Sequence, residues 1–525
     1  MKIKMLTMAA LSLTALGLGL ASAQAAGKAE LSYASTKDIR DINPHMYLGE
    51  MAAQNMVFEP LVYNVKDGGI APALAESWEV SPDGLVYTFH LRQNAVYSDG
   101  VPFTAQDAKA NFDVILANRQ RHSWMGLTNQ IAEVEAGDDH TLILTLKEPY
   151  YPALIELGMT RPFRFISPKC FKAGQTKDGV GCYLGTGPWV LDEHKKNQYA
   201  VFKANEKYWG DKPLLTSLRW KVIPEHQTIL LALQKGDIDL IYGADGDMVD
   251  MDSFKSLESQ GKYSTIMSSP IASRAIVLNT KQPGTRERAV REALSRAVDR
   301  ESIVAGILNG TEEVAETLMA KSVPYCNVDL PTYGYEPARA AAILQESGWV
   351  IPKGKTVREK DGQPLKIVFS YNVNNASEKT IAEFIQGEAK AIGVDIQVLG
   401  EEKQAFLDRQ KTGEFGMQYA LSWGPPSDPQ SYFSSFRVPA HADYQGQIGL
   451  KEKPAIDQMI GRVLVTTEEK ERQEIYAAIL TILAEECVYI PLSYSRTKAI
   501  HVPSLKGVGF SVSQYEIPFE KMYFE

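Results

Sequence analysis

Hydrophobic positions along the chain recur with two periods, which predict strands in some stretches and helices in others. Residues 85–91 alternate between apolar and polar side chains, and residues 141–146 are a second strand-like stretch that ends at Pro149. Thr104 and Asp107 have the [ST]-x-x-[DE] spacing of a helix start, in which each side chain can bind a free backbone amide. A helix is therefore predicted from Thr104 onward, with apolar residues at helical spacing through residue 115.

Later stretches continue the alternation of helix and strand. Residues 229–234 predict the end of a helix, which Gly236 breaks before a strand at residues 238–241. Residues 290–298 place their apolar side chains on one helical face, and residues 378–392 repeat that pattern before a strand at 394–399. The sequence therefore predicts α/β domains rather than a helical bundle or an all-β sandwich.

The first 26 residues have the pattern of a secretory signal peptide. Lys2 and Lys4 precede an uncharged apolar run at residues 6–20, and small residues follow up to Ala25. The run is short for a membrane span of about 20 residues, and no charged flank follows it. We therefore expect an exported protein, whose remaining residues, about 500, are enough for two or three domains.

Charge and cysteine usage narrow the possible partners. The chain has 55 Lys and Arg against 64 Asp and Glu, a net charge of −9, which argues against nucleic acid or an anionic membrane as its partner. Cys170 and Cys182 flank a short loop rich in Gly and Lys, which favours a local disulfide in an oxidising compartment. The sequence leaves the pairing of Cys326 and Cys487 open.

Motifs of catalysis and of metal cages are missing from the sequence. No G-x-S-x-G elbow, H-E-x-x-H pair or Gly-rich phosphate loop occurs, so a hydrolase or another enzyme is not expected. The eight histidines show no ligand spacing along a helix, and no C-x-x-C motif occurs. We therefore predict neither a resident cofactor nor a metal site made by protein ligands alone.

Several motifs resemble those of the family 5 extracellular solute-binding proteins. They are Leu74-Ala75-Glu76-Ser77-Trp78-Glu79, Tyr97-Ser98-Asp99-Gly100, Gly185-Thr186-Gly187-Pro188-Trp189 and Gly236-Asp237-Ile238-Asp239. The resemblance covers essentially the whole chain after the leader. It implies the class II two-lobe periplasmic binding protein fold with a ligand cleft between the lobes. It also implies a monomer in the periplasm that delivers its ligand to the permease and ATPase subunits of an ABC importer.

The same resemblance implies domain limits. Lobe I would comprise residues 27–270, with an inserted subdomain at about 72–190, and lobe II would comprise residues 271–495. The chain would then return to lobe I at residues 496–525.

Within the family, residues 118–124, 161–166 and 437–443 are most similar to the nickel-binding members. This similarity implies that His441 coordinates the metal and that Arg161 and Arg121 hold the carboxylates of a chelator. Nickel favours several nitrogen or carboxylate donors, so one imidazole is too few unless the metal arrives in a small chelator such as free histidine. Other positions implied to lie against the ligand are Trp124, Trp423, Tyr47 and Met51.

Each of these residues also has an ordinary structural interpretation. A lone loop histidine is commonly solvated, exposed arginines commonly form surface ion pairs, and tryptophans commonly fill cores. The solvated interpretation fits Arg119 and Arg164 better than a ligand role.

The principal alternative is a di- or oligopeptide-binding or haem-binding receptor of the same family. The resemblance implies that peptide binders carry an extra acid shortly after the tryptophan that corresponds to Trp423, whereas here residues 424–426 are Gly-Pro-Pro. Only Asp428 remains nearby, and a buried ammonium without a counter-charge is costly. Ser427 stands where nickel binders have a tyrosine, so the chelator, and nickel against cobalt, stay open.

Overall fold

The computed structural model describes residues 28–243, 250–373, 375–422 and 428–525. The predicted signal peptide lies outside these residues. No helix in the described ranges combines the length and the hydropathy needed to cross a bilayer. The helices of the described ranges are Met51–Val57, Ala105–Ala117, Gly126–Gln130, Ala153–Leu157, His226–Lys235, Met251–Gln260, Arg288–Ala297, Arg300–Ser302, Pro337–Glu346, Ala376–Ala391, Lys403–Thr412, Gln430–Phe433, Ala442–Gln447, Lys453–Val465 and Glu469–Glu485.

Two mixed sheets organise the chain. The first sheet has seven described strands, in the spatial order Trp189–Lys195, Tyr199–Ala204, Ser217–Val222, Glu30–Ser35, Leu240–Gly243, Lys498–His501 and Ser264–Met267. The second has six described strands, in the order Glu313–Val314, Tyr489–Ser495, Ala272–Leu278, Met417–Leu421, Lys366–Asn372 and Asp395–Glu401. Each sheet packs its helices around a separate hydrophobic core.

A smaller antiparallel sheet follows the first helix. Its four strands are, in spatial order, Ala75–Val80, Val86–Leu91, Thr141–Leu146 and Ile131–Asp138. They pack with helix Ala105–Ala117 around a third core. Two-stranded ladders pair Val62–Asn64 with Ile70–Pro72, Phe171–Lys172 with Gln175–Val180, Glu359–Lys360 with Gln363–Pro364, and Leu505–Lys506 with Tyr523–Phe524.

Two short links join the large sheets. Residues 268–271 leave the first sheet for the second, and residues 496–497 return from the second to the first. The links are bonded to each other, because Ser268 N donates to Thr497 O at 2.9 Å and Thr497 N donates to Ser268 Oγ at 3.0 Å. Strand Lys498–His501 then pairs antiparallel with both neighbouring strands of the first sheet. In the described ranges these two links are the only crossings between the large sheets, so the chain can bend there.

The periodic stretches of the sequence form the predicted elements. Thr104 Oγ accepts from Asp107 N at 3.3 Å and Asp107 Oδ2 accepts from Thr104 N at 3.0 Å, so the predicted helix start is confirmed. Gly236, at φ 81°, ends helix His226–Lys235 as expected. The next strand begins at Leu240, two residues later than predicted.

The cysteines separate into a bonded pair and two free thiols. Cys170 and Cys182 form the predicted disulfide, which closes the loop that contains strand Gln175–Val180. Cys326 and Cys487 are buried and are not bonded. Burial raises the pKa of both thiols, so both remain protonated at neutral pH.

Tyr151 ties the region of the small sheet to helices packed near the second large sheet. Its backbone N donates to Leu464 O at 2.8 Å, and its hydroxyl donates to Glu469 Oε1 at 2.9 Å. The Arg472 guanidinium carbon lies 3.4 Å from the centroid of the Tyr151 ring. Tyr151 thus holds the first half of the molecule, which contains the first large sheet and the small sheet, against the second half, which contains the second large sheet.

Candidate functional site

A cavity of about 450 Å³ lies where the first and second halves of the molecule meet. This volume is in the range of pockets that enclose small ligands. The predicted ligand-binding residues Tyr47, Met51, Arg121, Trp124 and Arg161 all line the cavity, together with His441. The chain thus brings together residues that are far apart in sequence. Trp423, the remaining predicted wall residue, lies outside the described residues.

Tyr47 lines the cavity, and two arginine side chains stack on its ring. It follows the first strand in a turn just before helix Met51–Val57, and its side chain is partly buried. The guanidinium carbons of Arg121 and Arg161 lie 4.7 Å and 5.1 Å from the centroid of its ring. Stacking on an aromatic face stabilises each cation while its N–H groups remain free to point at a ligand.

A hydrogen-bonded chain fixes the orientation of Tyr47. Trp124 Nε1 donates to the Tyr47 hydroxyl at 2.7 Å, and the hydroxyl lies 2.7 Å from His122 Nδ1. The imidazole tautomer sets which of the two atoms, the hydroxyl oxygen or Nδ1, is the donor. Burial lowers the pKa of His122 to about 4, with the Arg121 charge adding to the effect. His122 is therefore neutral at pH 7 and does not compete with Arg121 for an anion.

The two arginines are held differently. Arg161 lies in the loop after helix Ala153–Leu157, is partly buried, and donates from Nη1 to Gly49 O at 3.1 Å. Burial lowers its pKa, which the Tyr47 hydroxyl and the Glu50 carboxylate oppose. Arg121, on the turn Arg119–His122, makes no side-chain hydrogen bond or ion pair to any residue in the described ranges.

His441 is the N-cap residue of helix Ala442–Gln447 and projects into the cavity from the opposite half. Burial lowers the pKa of its imidazole, although the Asp443 carboxylate acts in the opposite direction. Asp443 itself accepts from Tyr432 Oη at 2.7 Å, Ser435 Oγ at 2.9 Å and Tyr489 Oη at 3.0 Å. The lowered pKa favours the neutral imidazole, which is the form that can coordinate a metal.

A carboxylate also lines the cavity, but a buried cation balances it. Glu516 accepts from Arg164 Nη2 at 3.1 Å, Thr160 Oγ1 at 2.9 Å and Ser511 Oγ at 2.8 Å. The solvated role predicted for Arg164 is wrong, because its side chain is 0% exposed. The prediction failed because the partner, Glu516, lies 352 residues away in sequence. With Glu516 neutralised, Arg121 and Arg161 leave the cavity cationic.

The described residues contain no group of three His, Cys, Asp or Glu side chains that is placed to hold a metal ion. A metal ion at His441 would need further donors from outside the protein.

Sequence reasoning missed part of the cavity wall. The other lining residues are Tyr63, Asn64, Gly158, Met159, Thr160, Val512, Ser513, Tyr515 and Glu516. No property of the C-terminal residues in the sequence assigns their side chains to a cavity. Only the fold, which returns the C-terminal segment to the first half, places them there.

Comparisons show which known proteins this chain resembles. The model of the bacterial extracellular solute-binding proteins, family 5 Middle, matches residues 69–444. The nickel-binding periplasmic protein of Escherichia coli (strain K12) is 45% identical over 499 residues, 95% of each chain.

Two solved structures extend the comparison. NikA from Brucella suis in complex with Fe(III)-EDTA is 44% identical and superposes with a TM-score of 0.92, over 94% of this chain and 100% of that one. NikZ from Campylobacter jejuni in complex with Ni(L-His) is 25% identical with a TM-score of 0.79, over 94% of this chain and 99% of that one.

These similarities agree with the topology described above. The predicted α/β fold of two lobes with a cleft between them is confirmed, because a two-lobe protein superposes on nearly the whole described chain. The match of the family model and the 45% identity over 95% of the sequence are independent of that superposition. The chain belongs to family 5 of the bacterial extracellular solute-binding proteins.

Proposed function

We propose that this protein captures nickel(II) as a complex with a small organic chelator, such as free histidine, and delivers it to an ABC importer. The proposal places the complex in the cavity around Tyr47. His441 supplies one ligand to the metal, while Arg121 and Arg161 bind carboxylates of the chelator. The protein acts by binding and release and carries out no turnover of its own.

One observation carries the proposal. A single cavity places two guanidinium groups on the ring of Tyr47 and an imidazole from the other half of the molecule in its wall. Guanidinium groups match carboxylates in geometry and charge, and a neutral imidazole is a common ligand of nickel. A metal complex that presents carboxylates satisfies both kinds of group at once, whereas a bare metal ion would be repelled by the two cations.

The relatives support the same cargo. The Escherichia coli relative is named for nickel binding, and two structural relatives hold metal chelates rather than bare ions. Because the described residues offer no cluster of metal ligands, most donors would have to come from the chelator.

Peptide binding fits the cavity less well. Asp428, the acid retained after Trp423, is buried and paired with Arg472 at 2.8 Å, and it also accepts from Tyr476 Oη at 2.9 Å. It is therefore already engaged and is not free to pair with a peptide ammonium. Glu516 is engaged by Arg164 in the same way.

The remaining features of the proposal follow from the family. We propose a monomer in the periplasm, with lobe I at residues 27–270 and 496–525 and lobe II at residues 271–495. A ligand that contacts Arg121 and Arg161 on one side and His441 on the other binds the closed arrangement better than the open one. The closed, loaded protein then docks on the permease, and the ATPase drives release.

Isothermal titration calorimetry tests the proposal. The purified mature protein is titrated with nickel chloride alone, with histidine alone and with nickel plus an excess of histidine. We expect saturable 1:1 binding only when both are present. Equal heats with and without histidine would rule out capture of a wrapped metal, and binding of dipeptides alone would favour a peptide receptor.

Two variants test whether the heat measured by calorimetry comes from ligand bound in the cavity around Tyr47. Arg121→Ala should weaken binding of the complex. Arg119→Ala is the matched control, because Arg119 lies on the same turn but does not line the cavity. Equal losses in both variants would show that the turn, and not the Arg121 guanidinium, matters.

A further inference from the structure

A second cavity, also of about 450 Å³, adjoins the first. The two share Tyr47, Met51, Arg161 and Tyr515 as common wall. The second cavity extends from this wall toward the strands Glu30–Ser35 and Leu240–Gly243 of the first sheet. A ligand bound at Tyr47 therefore has room to continue into it.

Cations dominate the described lining of the second cavity. Lys37, Arg40, Arg161 and Lys403 line it, against one carboxylate, that of Glu50. Within the described lining the cations outnumber the carboxylates, although the net charge of the whole chain is −9. A concave surface lined by one sign of charge concentrates ligands of the opposite sign.

Two of these cations are uncommitted. The side chains of Arg40 and Lys403 are exposed, and neither makes an ion pair or side-chain hydrogen bond with any residue in the described ranges. Both can therefore turn toward an anion without breaking an existing contact.

The cations come from both sides of the cleft. Lys37 and Arg40 follow strand Glu30–Ser35 of the first sheet, whereas Lys403 is the first residue of helix Lys403–Thr412, which packs near the second sheet. Like charges brought together by closure oppose it. An anionic group between them would remove this opposition and would bind the closed form selectively.

We propose that the second cavity holds an anionic arm of the ligand, with Arg40 and Lys403 as its main contacts. This inference rests on the proposed function and narrows it. The natural chelator would then be larger than free histidine, which fills only the first cavity, and would carry a carboxylate, or a group of similar charge, that does not coordinate the metal. The exposed side chain of Leu48 and the ring of Trp220 offer apolar contact to the arm's hydrocarbon part.

Two nickel complexes that differ only at the end of one arm provide the test. One uses N-(5-carboxypentyl)iminodiacetate, and the other uses N-hexyliminodiacetate, in which a methyl group replaces the carboxylate. Both present the same metal-binding head to His441 and the two arginines. Affinity for each complex is measured by calorimetry at low salt.

The wild-type protein should bind the carboxylate complex about 5- to 30-fold more tightly, as expected for contacts with two partly solvated cations. The double variant Arg40→Gln/Lys403→Gln should reduce this ratio to about one. Lys411→Gln is the matched control, because Lys411 lies on the same helix and outside both cavities, and it should retain the preference.

The results that would contradict the inference differ from those that would contradict the proposed function. Equal affinity of the wild-type protein for the two complexes, or a preference that survives in the double variant, overturns the inference and leaves the proposed function standing. Failure of both nickel complexes to bind overturns the inference, and failure of nickel with histidine as well overturns the proposed function.

Discussion

Arg161 is the residue on which the proposed site depends most. It stacks on Tyr47, is anchored to Gly49 O by one N–H, and lines both cavities. Arg161→Ala removes a charge-assisted contact to a carboxylate in a partly buried site. The expected loss is about 1.5–3 kcal/mol, or roughly 10- to 150-fold in the dissociation constant of the nickel–histidine complex. An unchanged dissociation constant by calorimetry would remove Arg161 from the site.

His122 gives the fold a dependence on pH. Its folded-state pKa, about 4, is below the value of 6.5 for the unfolded chain, because burial disfavours the charged form. The unfolded chain therefore takes up a proton between pH 6.5 and 4 that the folded protein refuses. The stabilisation is fully present above pH 6.5 and is lost as the pH falls toward 4.

Thermal unfolding of His122→Asn against wild type measures this effect. Asn retains an acceptor for Tyr47 but does not titrate, so the variant should lose less free energy of unfolding between pH 6.5 and 4.5. The difference in slope is at most about 1.4 kcal/mol per pH unit, the value for one proton. Equal slopes of the free energy of unfolding against pH in the two proteins would show that His122 takes up its proton in the folded protein at the same pH as in the unfolded chain.

The loop that carries Tyr151 is the element that couples the two halves. Tyr151→Ala removes the Arg472 stack and the hydrogen bond to Glu469. If the ligand binds the closed form, a smaller closed population weakens the apparent affinity by the same factor. We expect about 3- to 10-fold weaker binding, for the loss of about 0.7–1.4 kcal/mol of closure free energy.

Small-angle X-ray scattering shows whether the weaker binding of the Tyr151→Ala variant comes from a smaller population of the closed form. The Tyr151→Ala variant should have a larger radius of gyration than wild type without ligand and the same radius with ligand. Tyr335→Ala, which removes an exposed ring in the second half, is the control. Weaker binding without a change in radius would contradict a role in closure.

The helices and strands could be predicted from residues within a few positions of them in the sequence. The Thr104 and Asp107 pair, the Gly236 stop and the alternation of residues 141–146 each depend on neighbours within a few positions. The burial of Arg164 could not be predicted, because it requires a carboxylate that the fold brings from the C-terminal segment.

At the scale of the whole molecule, the cavity exists because the chain crosses twice between its two sheets. Nothing near His441 in sequence points to Arg121 or Arg161, and periodicity alone would not have joined them. Only the family resemblance predicted these partners. The C-terminal segment that completes the wall, and the second cavity beside it, became visible only in the folded chain.

The most direct test of the account is a crystal structure of the protein with nickel and histidine, with anomalous data collected at the nickel absorption edge. We expect one nickel peak in the cavity, next to the His441 imidazole, with chelator carboxylates bound by Arg121 and Arg161. A nickel ion bound elsewhere, or a closed, loaded protein whose His441, Arg121 and Arg161 face solvent, would contradict the account.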